Sequence, residues 1–248
     1  MTLAGRRIVV TRTEEQAGSL VDGLRQRGAT PVLVPSIRFE PPEDAAPLAE
    51  AVRDLDEAAW VVFTSTTGVL YGWAEIQRAW PDGLPDGVRV AAVGSGTAGA
   101  LRAVGAPVDL VPREALGDVL VDELPIAAGD RVVLLRSHIG REALATGLAA
   151  RGADVCDVPA YRTLTEADTA DVSAALDPAP DAVTFTSPST VRGFLEALSN
   201  PTQLADVPLV AIGPVTAAAL EPAGLRAAAV ADPHTVAGVL DALDQLFA

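Results

Sequence analysis

Ile8-Val9-Val10-Thr11-Arg12, followed one helix-length later by Arg27-Gly28-Ala29-Thr30-Pro31-Val32-Leu33-Val34-Pro35, is a pattern that this chain spells twice. The second copies are Val132-Val133-Leu134-Leu135-Arg136 and Arg151-Gly152-Ala153-Asp154-Val155-Cys156-Asp157-Val158-Pro159, both at an offset of 124. Val62-Phe63-Thr64-Ser65 returns as Thr184-Phe185-Thr186-Ser187 at an offset of 122. Ala92-Val93-Gly94-Ser95-Gly96-Thr97-Ala98 returns as Ala211-Ile212-Gly213-Pro214-Val215-Thr216-Ala217 at an offset of 119. Four ordered matches mark a duplicated half-protein.

Within each copy, short β-branched runs alternate with amphipathic segments. That alternation predicts an α/β fold: two similar domains, each a parallel sheet flanked by helices. The first helix shows the reasoning. Thr13 with Gln16 three residues on forms a candidate capping box, Ala17, Leu20, Val21 and Leu24 line one face, and Gly28 sits where a left-handed C-terminal residue belongs. Further helices are predicted near 44–57, 67–79, 96–104, 116–127, 140–151, 168–176, 189–199, 215–223 and 234–247. Strands are predicted at 7–11, 31–34, 60–64, 88–93, 108–111, 131–136, 154–158, 181–186, 207–212 and 226–230. Segments 36–40 and 160–164, at equivalent places in the repeat, break the alternation. They read as a double extended linker about which two domains would rock and close on a ligand.

The composition narrows the class. With 248 residues, 49% hydrophobic and 21% charged, the chain has apolar material for a large core or two smaller ones, which excludes disorder. No apolar run reaches the ~18–20 residues of a membrane-spanning helix, and no signal segment precedes Ile8, so the expectation is a soluble, cytoplasmic protein without a membrane. A net charge of −15 argues against nucleic acid as a partner. One cysteine, Cys156, excludes an internal disulfide. With only His138 and His234 beside it, a Cys/His zinc site cannot be assembled, although carboxylate-bound magnesium stays open.

In parallel α/β sheets, ligands bind beyond the carboxyl ends of the strands. Six such turns here share one composition: Thr11-Arg12-Thr13, Thr64-Ser65-Thr66-Thr67, Gly94-Ser95-Gly96-Thr97, Arg136-Ser137-His138-Ile139-Gly140-Arg141, Thr186-Ser187-Pro188-Ser189-Thr190 and Gly213-Pro214-Val215-Thr216. Each offers N–H groups and hydroxyls at a helix start, which suits a ligand with several carboxylates or phosphates, although Ser and Thr there are also ordinary N-caps. Gly94-x-Gly96-x-x-Gly99 formally matches a dinucleotide fingerprint, but the second copy keeps only its first glycine. Tyr161, one of only two tyrosines, lies on a linker facing any cleft between domains. A phenol is protonated at neutral pH and can serve as general acid, or the ring can simply cover a domain edge. His138 and His234 read as turn and helix-start residues, and Cys156 as a reduced packing residue.

In their order and spacing, Val10-Thr11-Arg12, Val62-Phe63-Thr64-Ser65, Ala92-Val93-Gly94-x-x-Thr97-Ala98, Ala160-Tyr161-Arg162-Thr163, Phe185-Thr186-Ser187 and Ala211-Ile212-Gly213-Pro214-x-Thr216-Ala217 resemble the uroporphyrinogen-III synthase family along the whole chain. The resemblance implies a discontinuous first domain (1–35 plus 165–248) and a second domain (41–159) inserted in it, with 36–40 and 160–164 as linkers. It implies a cofactor-free lyase of tetrapyrrole (heme, siroheme, cobalamin) biosynthesis that cyclises hydroxymethylbilane, with ring D inverted and water lost. The hydroxyl on ring A departs to give an azafulvene. Ring D attacks through its substituted carbon to form a spiro intermediate, which fragments and recloses. Because the free substrate closes unaided to the non-inverted isomer, such an enzyme chiefly controls geometry.

The substrate carries eight carboxylates, to be met by N–H groups and by Arg12, Arg38, Arg136, Arg141 and Arg162. By match to the family motifs, Tyr161 is the catalytic residue assisting hydroxyl loss. Ser65, Thr97, Ser187 and Thr216 line the site, and Arg12, Arg136, Arg141 and Ser189 complete the substrate-binding set, with no metal. Val215 and Gly96 depart from the family pattern. A monomer in transient contact with the preceding pathway enzyme is expected. The competing readings are a non-catalytic tetrapyrrole or anion sensor of the same fold, and a nucleotide-binding oxidoreductase.

Overall fold

The computed structural model describes residues 2–140, 142–198 and 200–248. Its strands are β1 (Arg7–Val10), β2 (Thr30–Leu33), β3 (Ile37–Glu40), β4 (Ala58–Phe63), β5 (Arg89–Ala92), β6 (Arg131–Ser137), β7 (Asp154–Thr165), β8 (Ala182–Phe185), β9 (Leu209–Ala211) and β10 (Ala229–Val230). The helices are α1 (Glu14–Gln26), α2 (Ala46–Arg53), α3 (Thr66–Gly68), α4 (Ala74–Ala79), α5 (Ser95–Ala103), α6 (Gly117–Glu123), α7 (Ala143–Ala150), α8 (Thr169–Leu176), α9 (Pro188–Ala197), α10 (Pro214–Ala218) and α11 (Val236–Leu246). The chain divides into two compact units, 1–38 with 164–248 and 39–163. No helix among the described residues is long and apolar enough to cross a membrane.

The first unit is built on a sheet of order β10-β9-β8-β1-β2, the second on one of order β3-β7-β6-β4-β5. In the first, β1 runs parallel to β2 and β8, and β9 to β8 and β10; in the second, β6 runs parallel to β7 and β4, and β4 to β5. The repeat explains the orders. β1 and β6 are aligned copies, as are β2 and β7, β8 and β4, and β9 and β5, so β2-β1-β8-β9 in one sheet reads as β7-β6-β4-β5 in the other. The spatial arrangement is the same although the copies are threaded in a different chain order.

Strand side chains alternate between faces, and both faces are covered, which is why these strands are continuously apolar. In the first unit Ile8 and Val10 pack with Leu20 and Leu24 of α1 and Val239 and Leu243 of α11. Val9, between them, joins Val183, Phe185, Val191 and Phe194 on the opposite face. In the second unit Val61, Phe63, Val133 and Leu135 meet Leu48, Val52, Trp73 and Ile76, while Trp60, Val62, Val132 and Leu134 meet Leu120, Leu144 and Leu148. Each such aliphatic side chain taken fully from water contributes about 1.5–3 kcal/mol. Helix α1 approaches α11 so closely that a Cβ on Gly23 would lie 2.3 Å from Leu240 Cδ1. The pair is fastened at its end by Arg27 Nε donating to Asp244 at 2.7 Å.

Three local expectations need correction. The capping box at α1 is not made: Thr13 occupies the N-cap position, but its side chain bonds no helix N–H. Segment 108–111 is not a strand; it contributes a single bridge, Leu110 to Ala91, where the other unit has β10. Predicted helix 67–79 is interrupted, because α3 passes through a π-helical turn, Val69–Trp73, before becoming α4. By contrast, Gly28 does take the left-handed conformation (φ 85°) that ends α1.

Candidate functional site

In the second unit the carboxyl ends of β4 and β7 bring two sequence-selected residues together. Ser65 leaves β4 in an extended conformation (φ −155°, ψ 157°) and caps α3, its Oγ accepting the Gly68 N–H at 2.9 Å. The same Oγ lies 3.1 Å from the hydroxyl of Tyr161. A hydroxyl oxygen accepts two hydrogen bonds, so Ser65 can take both N–H and phenol donors and keep its own proton.

Tyr161 stands in β7 beside Ser137 of β6, immediately after the ladder shifts register between Arg136 and Ser137. Its residue is only 6% exposed, so the ring sits within the apolar packing of this unit, with its hydroxyl against Ser65. The ring of Phe39 meets it edge-on, centroids 5.5 Å apart, and that of Tyr71 stacks on it at 6.0 Å and 18°.

Thr97 is buried in the first turn of α5 behind Gly94, an N-cap without a side-chain cap bond. Nothing lies within 4 Å of a Cβ placed on Gly96 or Gly99, so no contact demands glycine at these fingerprint positions.

The arginines differ. Arg136 is taken up by Asp157: Nε donates to Oδ1 at 2.6 Å, Nη2 bonds Oδ2, and this pairing raises the guanidinium above its ordinary range. Arg162 is bonded to Glu40 at 2.9 Å and Glu43 at 3.2 Å. Arg38 also has a partner. Arg141 lies outside the described residues. Of the arginines singled out in the sequence, the two described in the second unit, Arg136 in β6 and Arg162 in β7, are both bonded to carboxylates.

Arg12, at the carboxyl end of β1 in the first unit, is the exception. Its Nε is buried without a partner, no carboxylate among the described residues pairs with it, and burial lowers its pKa. Beside it Thr13 is 3% exposed with an unpartnered hydroxyl. Buried polar atoms left open in this way call for a ligand or ordered water.

Elsewhere in the first unit Ser187 caps α9 in a complete capping box, its Oγ accepting the Thr190 N–H at 3.1 Å while Thr190 Oγ1 accepts the Ser187 N–H at 3.2 Å. Ser189 Oγ accepts from Arg192 at 3.3 Å. Thr216 is buried in α10 behind Gly213, which, like Gly94, carries no side-chain cap. The histidines are held locally. His138 Nδ1 accepts the Thr163 N–H at 3.3 Å, and His234 Nδ1 donates to the Ala231 carbonyl at 2.7 Å. Cys156 is a half-buried free thiol.

Two participants were missed in the sequence. Tyr71 has a legible signal: at the offset of 122 its counterpart is Gly193, and at the offset of 124 the counterpart of Tyr161 is Ile37, so each tyrosine is absent from its repeat counterpart and both fall in the second unit. Thr13 was assigned to a capping box, which concealed its open hydroxyl.

Comparison with known proteins follows the same outline. A family model described as uroporphyrinogen-III synthase HemD matches residues 18–241. Uroporphyrinogen-III synthase of Synechococcus elongatus is 29% identical over 98% of this chain and 96% of its own length. Porphyrin biosynthesis protein HemD of Ruminiclostridium josui is 30% identical over 97% of this chain and 48% of its own. Among solved structures, a mutant uroporphyrinogen III synthase of the extremely thermophilic bacterium Thermus thermophilus superposes with a TM-score of 0.69, at 22% identity and 98% coverage of both chains, a likeness of fold.

Proposed function

The chain belongs to the uroporphyrinogen-III synthase family, and we propose that the phenol of Tyr161, steadied by Ser65, carries the first step of the reaction this membership brings. That reaction closes hydroxymethylbilane with inversion of ring D and loss of water, which makes the protein a cyclising hydro-lyase of tetrapyrrole biosynthesis. The observation that carries the residue assignment is the Tyr161–Ser65 pair: a phenol in apolar surroundings whose hydroxyl lies 3.1 Å from that of Ser65 and, among the described residues, is bonded to no carboxylate. As the C–O bond on ring A breaks, Tyr161 Oη delivers its proton to the departing hydroxyl, which leaves as water. The phenolate regains a proton when the reclosed ring sheds one at the end of the sequence. Ser65 can donate to the phenolate oxygen in the interval, lowering the cost of charge in a poorly hydrated place.

Arg12 and the hydroxyl of Thr13 receive a substrate carboxylate, because they are the polar groups at β1 that the fold leaves open. The uncapped starts of α5 and α10, with Thr97 and Thr216, offer further N–H and hydroxyl donors, and Ser189 adds one more. Arg136 contributes through its remaining N–H groups, because Asp157 already balances its charge, and Ser187 chiefly caps α9. The reading also holds that the protein works as a cytoplasmic monomer and takes its self-cyclising substrate by transient contact with the enzyme that makes it. The deciding experiment is isomer analysis after mixing purified protein with fresh hydroxymethylbilane, with no metal, flavin or nucleotide added. Type III product is expected; type I product alone would overturn the reading.

A further inference from the structure

We infer that Tyr71 is a positioning residue for the Tyr161 phenol, and that the π-helical turn exists to seat it. This rests on the reading of Tyr161 as proton donor. Tyr71 stacks offset on the face of Tyr161, centroids 6.0 Å apart, and its own hydroxyl donates to the carbonyl of Phe39 at 3.1 Å, the residue whose ring closes on Tyr161 from the side. Three aromatic residues from β3, the π turn and β7 thus form a closed triangle in which each fixes the next. The Tyr161 ring, gripped on its face and edge, has one direction left for its hydroxyl, toward Ser65.

The duplicated unit shows what the same helix does without this task. Opposite Ile37, the counterpart of Tyr161, stands Gly193, the counterpart of Tyr71. A Cβ there would lie 2.1 Å from the Ser36 carbonyl oxygen and 3.2 Å from Ile37 Cγ2. In that unit α9 runs uninterrupted and comes down onto the Ser36 backbone. Two stacked rings cannot enter so narrow a gap. In the second unit the helix instead carries a π turn over Val69–Trp73, and the widened turn admits a Tyr side chain between helix and strand. The helix still presses on the sheet through Gly72, where a Cβ would lie 3.0 Å from Leu135 Cδ1. The space is therefore local to Tyr71.

The test is a double-mutant cycle on the whole chain, reading kcat, KM and isomer ratio with hydroxymethylbilane. Tyr71→Leu removes the stacked face and is expected to lower kcat about thirtyfold, within the range that a small misplacement of a reacting group costs, with KM within about twofold. Tyr71→Phe restores the face while losing the bond to the Phe39 carbonyl, and is expected to recover kcat to within about threefold of the parent. In a Tyr161→Phe background, Tyr71→Leu is expected to add less than about threefold, since nothing is left to aim. If Tyr71→Leu fails to fold, the same cycle runs on Tyr71→Phe, whose small loss must vanish in the Tyr161→Phe background. Equal losses in both backgrounds, or a Tyr71→Leu kcat within about twofold of the parent, would overturn the inference. A Tyr161→Phe chain of parental rate would instead sink the reading beneath it.

Discussion

Ser65 and Ser187 occupy the same place in two copies of one sheet, and each caps the helix that follows. Ser187 closes a reciprocal capping box with Thr190, so its hydroxyl is absorbed by the fold. Ser65 faces Gly68, which has no side chain to reply with, and its hydroxyl turns to Tyr161 instead. The same motif therefore serves stability alone in one unit and joins stability to a reactive group in the other. Duplication supplies two equal frames, and function is built where the second frame departs from the first: tyrosine for isoleucine, tyrosine for glycine, a π turn for a regular one.

The contrast is broken most directly at Tyr161. Tyr161→Phe leaves the ring to pack and is expected to lower kcat about 10²-fold, with a product mixture shifted toward type I as escaping substrate closes by itself. Steady-state kinetics with isomer analysis reads both. A loss nearer about tenfold would reduce the phenol to a hydrogen-bond donor. Next comes Arg12→Gln in the first unit, expected to lower kcat/KM about thirtyfold, mostly through KM, as the loss of one charged hydrogen-bond partner of a carboxylate. Its effect should shrink in high salt, and an unchanged KM would remove Arg12 from the binding set.

The serines sharpen the comparison itself. Both Ser187→Ala and Ser65→Ala should cost about 1 kcal/mol of stability as lost caps. Only Ser65→Ala should also lower kcat, by about fivefold, through its lost contact with the phenol. Equal activity losses would make the two copies functionally alike.

The smallest effect concerns acid stability of the first unit. Burial alone would raise the Asp181 carboxyl, but the Arg7 N–H at 2.8 Å and the Arg6 guanidinium at 2.7 Å outweigh it and hold the group below its ordinary 3.8. A depressed carboxyl stabilises the fold above its unfolded value, and that stability is lost as pH falls through the folded value. Unfolding titrations from about pH 5 to below 3.8 should therefore show a slightly shallower acid limb for Asp181→Asn, and an unaltered limb would remove Asp181 from this role.

Much of the fold was legible because it rests on signals that survive in one sequence. The repeats at β1 and β6 and at β4 and β8, the apolar runs of sheets buried on both faces, and Gly28 at the end of α1 are all local. The site was legible only in part. Ser65 and Tyr161 were both selected, but their meeting depends on β4 and β7 flanking β6, a matter of sheet order rather than spacing. The engagement of Arg136 followed from register: Leu134 sits opposite Asp157, which places Asp157 and Arg136 diagonally on one face. The π turn was invisible because one extra residue in a turn leaves the average apolar period of 67–79 almost unchanged.

The threading of the two sheets also fixes an order of maturation. Residues 39–163 are continuous, so the second unit has all its strands in hand as soon as β7 has been synthesised. The first unit begins earlier but waits: β1 needs β8 beside it, and Thr11 and Thr184 bind across that junction, each hydroxyl donating to a carbonyl on the neighbouring strand, at 2.8 and 2.9 Å. Helix α11, which covers α1, comes last of all. On a ribosome β1 therefore has β2 as a partner at once but gains β8 only after the whole insert has been made, so the sheet closes across a sequence separation that an already folded insert would shorten. The insert that bears the tyrosine pair is thus complete in sequence before its host is.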